Sequence, residues 1–239
     1  MITIVQGLVG DGKSYHVAKL VVDHLLAGGV VATNMTLHLD RISRNFSRRV
    51  NARQYIRIAA ADSPFEIPRG DFRGRGRRRV MVVLDEALNW FASSSGAKDE
   101  RKATWGEWLR QSDKLGQDVF FIAQAFDRAA KWIRELSQVL ISIKNLRNAT
   151  LLHIPLGKWF GFRRIYAATK VDVRAGVVCG WGVYLIESRV WECYETAELY
   201  GFPASGNAYE GLVVPPAFRL PVWPLVLAGF VVLVGWCLV

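Results

Sequence analysis

The stretch that most constrains this chain is Gly7-Leu8-Val9-Gly10-Asp11-Gly12-Lys13-Ser14, a full match to the pattern G-x-x-x-x-G-K-[ST]. It follows the short apolar run Ile2–Val5, which reads as a buried strand. It opens the segment Lys13–Leu26, where Val17, Leu20, Val21 and Leu25 recur at helical spacing and Gly28 and Gly29 supply a stop. In that context the pattern carries chemistry. Glycines let backbone N–H groups wrap an anion, and the helix N-terminus adds partial positive charge. Gly7, Gly10 and Gly12 are expected to shape a nucleotide-binding loop. Lys13 is expected to reach the β- and γ-phosphates, the Ser14 hydroxyl to bind Mg²⁺, and Tyr15 to join the nucleotide contacts. Asp11 is an awkward neighbour for phosphate and is expected to point to solvent.

A second element supports the first. Val80–Leu84 is five apolar residues in a row, the signature of a strand covered on both faces, and it ends in Asp85-Glu86. A buried strand that delivers an acid pair looks like a Walker B motif. Asp85 would hold the metal through water, and Glu86 would orient or deprotonate the attacking water. Gln124 ends a further strand, Asp118–Ala123. Beside Asp85 in a parallel sheet it could sense the γ-phosphate or position water, or it is a strand-end glutamine with no catalytic part. Arg128, Arg134 and Arg147 follow it, and sequence does not rank them as an arginine acting on a neighbouring subunit or as surface residues.

Strand and helix patterns alternate through the first 150 residues. Val30–Asn34 reads as a strand, Trp105–Leu115 as a helix stopped by Gly116, the segment from Asp127 to Leu136 as a helix capped by Asp127, and Val139–Ile143 as a strand. The spacing predicts an α/β fold of the P-loop NTPase type, a mainly parallel sheet flanked by helices, over residues 1–150. Residues 151–201 are expected to form a small β-rich appendage, with strands in Phe162–Val173 and Val177–Val190 around a turn at Arg174-Ala175-Gly176. Residues 202–219 read as a linker.

From Leu220 to Val239 there is no charged residue, and at about 1.5 Å per residue the stretch spans roughly 30 Å, enough for one C-terminal transmembrane helix. Trp223 and Trp236 lie towards its two ends, and Pro221 and Pro224 fall in its first turn. A buried core helix, or a strand pair turning at Gly229, is the competing reading. All Lys and Arg residues lie upstream, which puts the N-terminal body in the cytoplasm by the positive-inside rule. The net charge of +10 points to polyanions. The run Arg73, Arg75, Arg77, Arg78, Arg79 fits nucleic-acid phosphates, a solvated loop or anionic lipid equally well. Three widely spaced cysteines argue against a disulfide framework, and the N-terminus has no basic n-region of a secretion signal.

With both motifs placed, the chain resembles the Zot (zonular occludens toxin-like) family, the inner-membrane assembly ATPases of filamentous phages. The resemblance rests on the phosphate loop, on LDEALNWF at 84–91 and on WGEWLRQSDKLGQDVFFIAQ at 105–124. CYETAELYG at 193–201 is similar to a block found before the family's membrane helix. The resemblance implies a cytoplasmic ATPase domain related to FtsK/HerA-like motors, using ATP and Mg²⁺ and working as a homo-oligomer, a ring, in the host inner membrane. Phage DNA and coat or other assembly proteins are the implied partners, with extrusion of single-stranded DNA as the implied task. By position, Gly12, Lys13 and Ser14 would bind nucleotide, and Asp85 and Glu86 would serve metal and water. Family members usually continue into a periplasmic domain, whereas this sequence ends at Val239, so an outer-membrane connection is expected from another protein, or the virus exits differently. Two other functions fit the same motifs. One is a genome-packaging motor that moves DNA into a membrane-containing capsid. The other is a toxin or adaptor that binds nucleotide without turnover.

Overall fold

The computed structural model of the chain describes residues 1–59, 62–86, 100–146 and 165–195. The linker, the expected membrane helix and Arg147 lie outside them. Among the described residues no helix is long and apolar enough to cross a membrane.

The apolar runs become the strands of one eight-stranded sheet. Its parallel part contains β1 (Ile2–Gln6), β2 (Val31–Thr33), β4 (Tyr55–Arg57), β5 (Val80–Leu84), β6 (Gln117–Ala123) and β7 (Val139–Asn145). The strand order is β4-β2-β5-β6-β1-β7, so β6 separates the strand of the phosphate loop from the strand of the acid pair. Parallel strands need crossover connections, and these put helices on both faces. On one face α1 (Lys13–Leu26) buries Val17, Ala18, Val21, Val22 and Leu25 against Val5, Val31, Val83, Phe120 and Ile122. On the other, α3 (Glu100–Gln111) and α4 (Lys131–Leu136) bury Trp105, Trp108, Leu109 and Ile133 against Ile2, Ile4, Val82 and Phe121. At about 1.5–3 kcal/mol for each large apolar side chain, these two layers hold the sheet. Gly116, at φ +69°, makes the turn from α3 into β6, and a Cβ there would run into the main chain of Gly70.

Several boundaries differ from expectation for local reasons. Asp127 caps no helix: it lies in a 3₁₀ turn, Phe126–Arg128, before α4, and pairs with Arg134 at 3.9 Å. The β-rich segment is continuous with the main sheet. β8 (Ile165–Asp172) pairs antiparallel with β7, from Val139↔Asp172 to Asn145↔Tyr166, and β9 (Val177–Leu185) pairs antiparallel with β8 and forms the sheet edge. Tyr166 and Ala168 complete the core under α1. The second run stops as a strand at Leu185, and Ser188–Trp191 forms a short helix, α5, because Glu187 is drawn onto α1 by the Tyr15 hydroxyl and by Lys19. The chain then returns to the start of the domain, where β10 (Tyr194–Glu195) pairs with β3 (Thr36–Leu37), beside α2 (Leu39–Asn45).

The basic run does not act as one unit. Arg73, Arg75, Arg77 and Arg78 are exposed, whereas Arg79 is buried at the entry of β5. Its guanidinium pairs with Asp113 at 2.7 Å and Asp118 at 3.0 Å, and donates to the carbonyls of Phe72 and Gln117. Arg79→Ala removes the donor to the Phe72 carbonyl and both ion pairs, with Asp113 and Asp118. The expected loss is about 2 kcal/mol, a fall in melting temperature of roughly 4–8 °C, with nucleotide affinity unchanged. Thermal melting beside a fluorescent-nucleotide titration checks both.

Candidate nucleotide site

The loop after β1 owes its shape to its glycines and to Asp11. Gly7 follows β1 so closely against β7 that a Cβ would come within 2.6 Å of the Ile143 carbonyl oxygen. Gly10 and Gly12 take φ +83° and +92°, a left-handed conformation that favours glycine. Asp11 does not point to solvent. It is 9% exposed, and its carboxylate accepts from Leu8 N–H at 2.8 Å and from Asn145 N–H at 3.3 Å. Asn145 also donates to the Gly10 carbonyl at 3.2 Å, tying the loop to the end of β7. Asp11 is thus an internal strut of the loop.

Gly12 is the N-cap of α1, and no side chain among the described residues caps it. The first helical hydrogen bond runs from His16 N–H to the Gly12 carbonyl, so the N–H groups of residues 13–15 have no acceptor within the helix. They form a ready anion cradle. Lys13 is buried, and its ammonium donates to the Leu8 carbonyl at 2.9 Å. Burial lowers its pKa, against the opposing pull of Glu86, Asp11 and Asp85. The Tyr15 side chain departs from expectation. Its ring is 1% exposed in the core, and its hydroxyl accepts from Glu187 N–H at 2.8 Å and donates to the Leu185 carbonyl. Only its main-chain amide remains for a nucleotide.

β5 brings the acid pair to the same edge. The Ser14 hydroxyl donates to the Asp85 carboxylate at 3.4 Å. Asp85 is 4% exposed, and burial, then the neighbouring Glu86 charge, pushes its carboxyl up to about 6. A carboxylate with its negative charge so poorly compensated gains from a cation, and the hydroxyl–carboxylate pair is an oxygen donor set that suits Mg²⁺. Glu86 turns the chain out of the strand at φ +52°, an uncommon value for a residue with a side chain. Gln124 follows the last pair of the β1–β6 ladder, Gln6↔Ala123, and so stands at the same sheet edge, on the strand between the two motifs. Arg134 is held by Asp127 and lies over the Phe126 ring. The side chain of Arg128 is outside the described residues.

Two contributors carry no sequence signal of their own. Gln6 accepts from Phe126 N–H and donates to the Ser142 hydroxyl, both at 2.8 Å, bracing the strand ends around the loop. Asn34, one residue past β2, forms two 2.8 Å hydrogen bonds with the main chain of Asp85. Both act across neighbouring strands, so only the strand order could have pointed to them.

Residues 1–152 match the family described as zonular occludens toxin (Zot). The chain belongs to the Zot family. The matched span contains every residue of the site, from Gly7 to Asn145. Curated relatives of this Zot-family chain include the Gene 1 protein of Enterobacteria phage I2-2, 30% identical over 159 residues that cover 64% of this chain and 42% of the relative. The Gene 1 protein of Enterobacteria phage fd is 28% identical over 151 residues, covering 62% and 43%. The chain therefore spans less than half the length of these relatives. Among solved structures it is similar to the N-terminal domain of zonular occludens toxin from Neisseria meningitidis, at 17% identity and a TM-score of 0.49 over 81% of this chain and 98% of that one. It is also similar to B204, the DNA-packaging ATPase from Sulfolobus Turreted Icosahedral Virus, at 13% identity and a TM-score of 0.44 over 77% and 96%.

The raised Asp85 pKa fixes the sign of a pH effect. Between its ordinary value of 3.8 and about 6 the folded chain holds a proton that the unfolded chain has released. Stability from this group is complete below that window and is lost as pH rises through about 6, a difference of about 3 kcal/mol. In buffer without nucleotide or Mg²⁺, Asp85→Asn is expected to melt above the parent at pH 7.5 and to match it at pH 4. Equal melting of the two proteins at both pH values is the contrary result.

Proposed function

We propose that this chain is the ATP-hydrolysing component of a phage assembly machine at the host inner membrane. One observation carries the proposal: the Ser14 hydroxyl lies 3.4 Å from the Asp85 carboxylate, beside Lys13 and Glu86, in a Zot-family chain. The loop amides and the Lys13 ammonium grip the triphosphate, and Ser14 and Asp85 hold the metal. Magnesium, when bound, supplies positive charge to the phosphate oxygens as the terminal phosphoryl group leaves. Glu86 orients the attacking water and takes its proton. Gln124, on the intervening strand, orients that water or senses the γ-phosphate.

The phage setting is supported by the Gene 1 proteins among the relatives. In this proposal the uncharged segment 220–239 is the anchor, the body stays in the cytoplasm, and the chain works as a homo-oligomeric ring on phage DNA with coat or other assembly proteins.

Lys13→Ala is expected to weaken Mg-ATP binding at least ~100-fold, because the loss leaves the phosphates facing a buried acid pair. Glu86→Gln is expected to keep binding while turnover falls by ~10²–10⁴. Parental turnover by Glu86→Gln overturns the role given to that residue. Alkaline extraction of membranes is expected to leave the full chain in the pellet, and its release into the soluble fraction overturns the anchor.

A further inference from the structure

Asn34 belongs to neither motif, yet it is bonded to the main chain of the acid pair from both sides. Its Nδ2 donates to the Asp85 carbonyl at 2.8 Å, and its Oδ1 accepts from the Asp85 N–H at 2.8 Å. The β2–β5 ladder ends at Thr33↔Val83. One residue further, the Asn34 carboxamide takes the place of a strand backbone and carries the pairing on to Asp85. A carboxamide can do this because it offers a donor and an acceptor in one plane, matching the donor and acceptor of a peptide.

The bonded carbonyl belongs to the peptide that enters Glu86, and Glu86 has φ +52°. A residue with a Cβ in that region costs about 1–2 kcal/mol and persists only where its surroundings impose it. Two hydrogen bonds, each worth about 1 kcal/mol, are of the size needed to offset the strain. The bond to the carbonyl also fixes the plane of the Asp85–Glu86 peptide, the reference for that φ, and so the direction in which the Glu86 side chain leaves the strand.

We infer that Asn34 is a positioning residue for hydrolysis: through the Asp85 main chain it holds Glu86 in the turn that presents its carboxylate to the attacking water. The inference rests on the proposed role of Glu86 in turnover. Lys13 is held separately, by the Leu8 carbonyl, and the Asp85 side chain keeps its own contact with Ser14 when the bracket on its main chain is lost. Loss of the bracket therefore strikes turnover and spares affinity.

The test compares Asn34→Ala, which removes both hydrogen bonds, with the isosteric Asn34→Asp. The aspartate keeps the acceptor for Asp85 N–H but sets an oxygen against the Asp85 carbonyl. In each variant kcat for ATP is expected to fall ~10–100-fold, as for a misplacement of about 1 Å, while the Kd for a fluorescent ATP analogue with Mg²⁺ stays within ~3-fold. In single-turnover assays Asn34→Asp/Glu86→Gln is expected to be no slower than Glu86→Gln alone, because a residue that acts through Glu86 has nothing left to position. Where the alanine variant fails to fold, the isosteric one carries the measurement. Parental kcat in Asn34→Asp, a matching loss of affinity and turnover, or additive losses in the double variant each overturn the inference. Parental kcat in Glu86→Gln overturns instead the reading on which it rests.

Discussion

The site depends on one constraint, the parallel register of three neighbouring strands. Gln6 faces Ala123 across β1 and β6, and Leu84 faces Phe121 across β6 and β5. Side chains that follow those residues therefore emerge along one edge of the sheet, at the carboxyl ends of the strands, where open α/β sheets place ligands. Gly7, Asp85 and Gln124 come together from positions up to 117 residues apart with no loop needed to bring them there. A slip of one residue would turn every buried side chain of a strand to the opposite layer. The two apolar layers that hold the sheet, α1 beneath one face and the tryptophans of α3 against the other, are thus what hold the geometry of the candidate site.

Within that frame the charges are arranged at some expense to stability. Lys13 and Asp85 are both buried, and burial moves each away from its charged form. The nearby acids pull Lys13 back towards the ammonium, whereas Glu86 adds to the pressure on Asp85. The charged form of each is therefore worse off here than in water. A ligand group of opposite charge would relieve that penalty at either residue. The Asp11 oxygens serve the fold instead, accepting from main-chain N–H groups of the loop and of β7.

What sequence made legible was what local pattern determines. The bounds of α1, Lys13–Leu26, and of β5, Val80–Leu84, follow from helical spacing with glycine stops and from an unbroken apolar run, and the structure has them unchanged. The phosphate loop and the acid pair were legible for the same reason, as short motifs on strong elements. What escaped was set by contacts distant in sequence. Asp11 looked like a charge to be kept from phosphate because nothing nearby shows that Asn145, 134 residues on, closes the loop onto it. Tyr15 looked like a nucleotide contact because it follows Ser14, but the chain at Leu185 and Glu187 claims its hydroxyl. Asn34 looked like the end of a strand.

The segment from Ile165 to Glu195 gives the clearest instance of long-range control. Alternating aromatic and β-branched residues correctly indicate strands, but such a pattern says nothing about which edge they join. Here β8 continues the sheet at β7, Tyr166 packs edge-on against Tyr15 and bonds to His16 at 3.2 Å, and burial holds the His16 imidazole down at about 4, in its neutral form. Beyond β9, the Lys19–Glu187 pair at 2.7 Å and the β3–β10 ladder fasten the chain to α1 and then to the stretch just after Asn34. The underside of the phosphate-loop helix is therefore held by contacts with residues 150 to 172 positions downstream. The hairpin completes the domain, and its covering of α1 anchors the helix whose first-turn amides, at residues 13–15, open the candidate phosphate cradle.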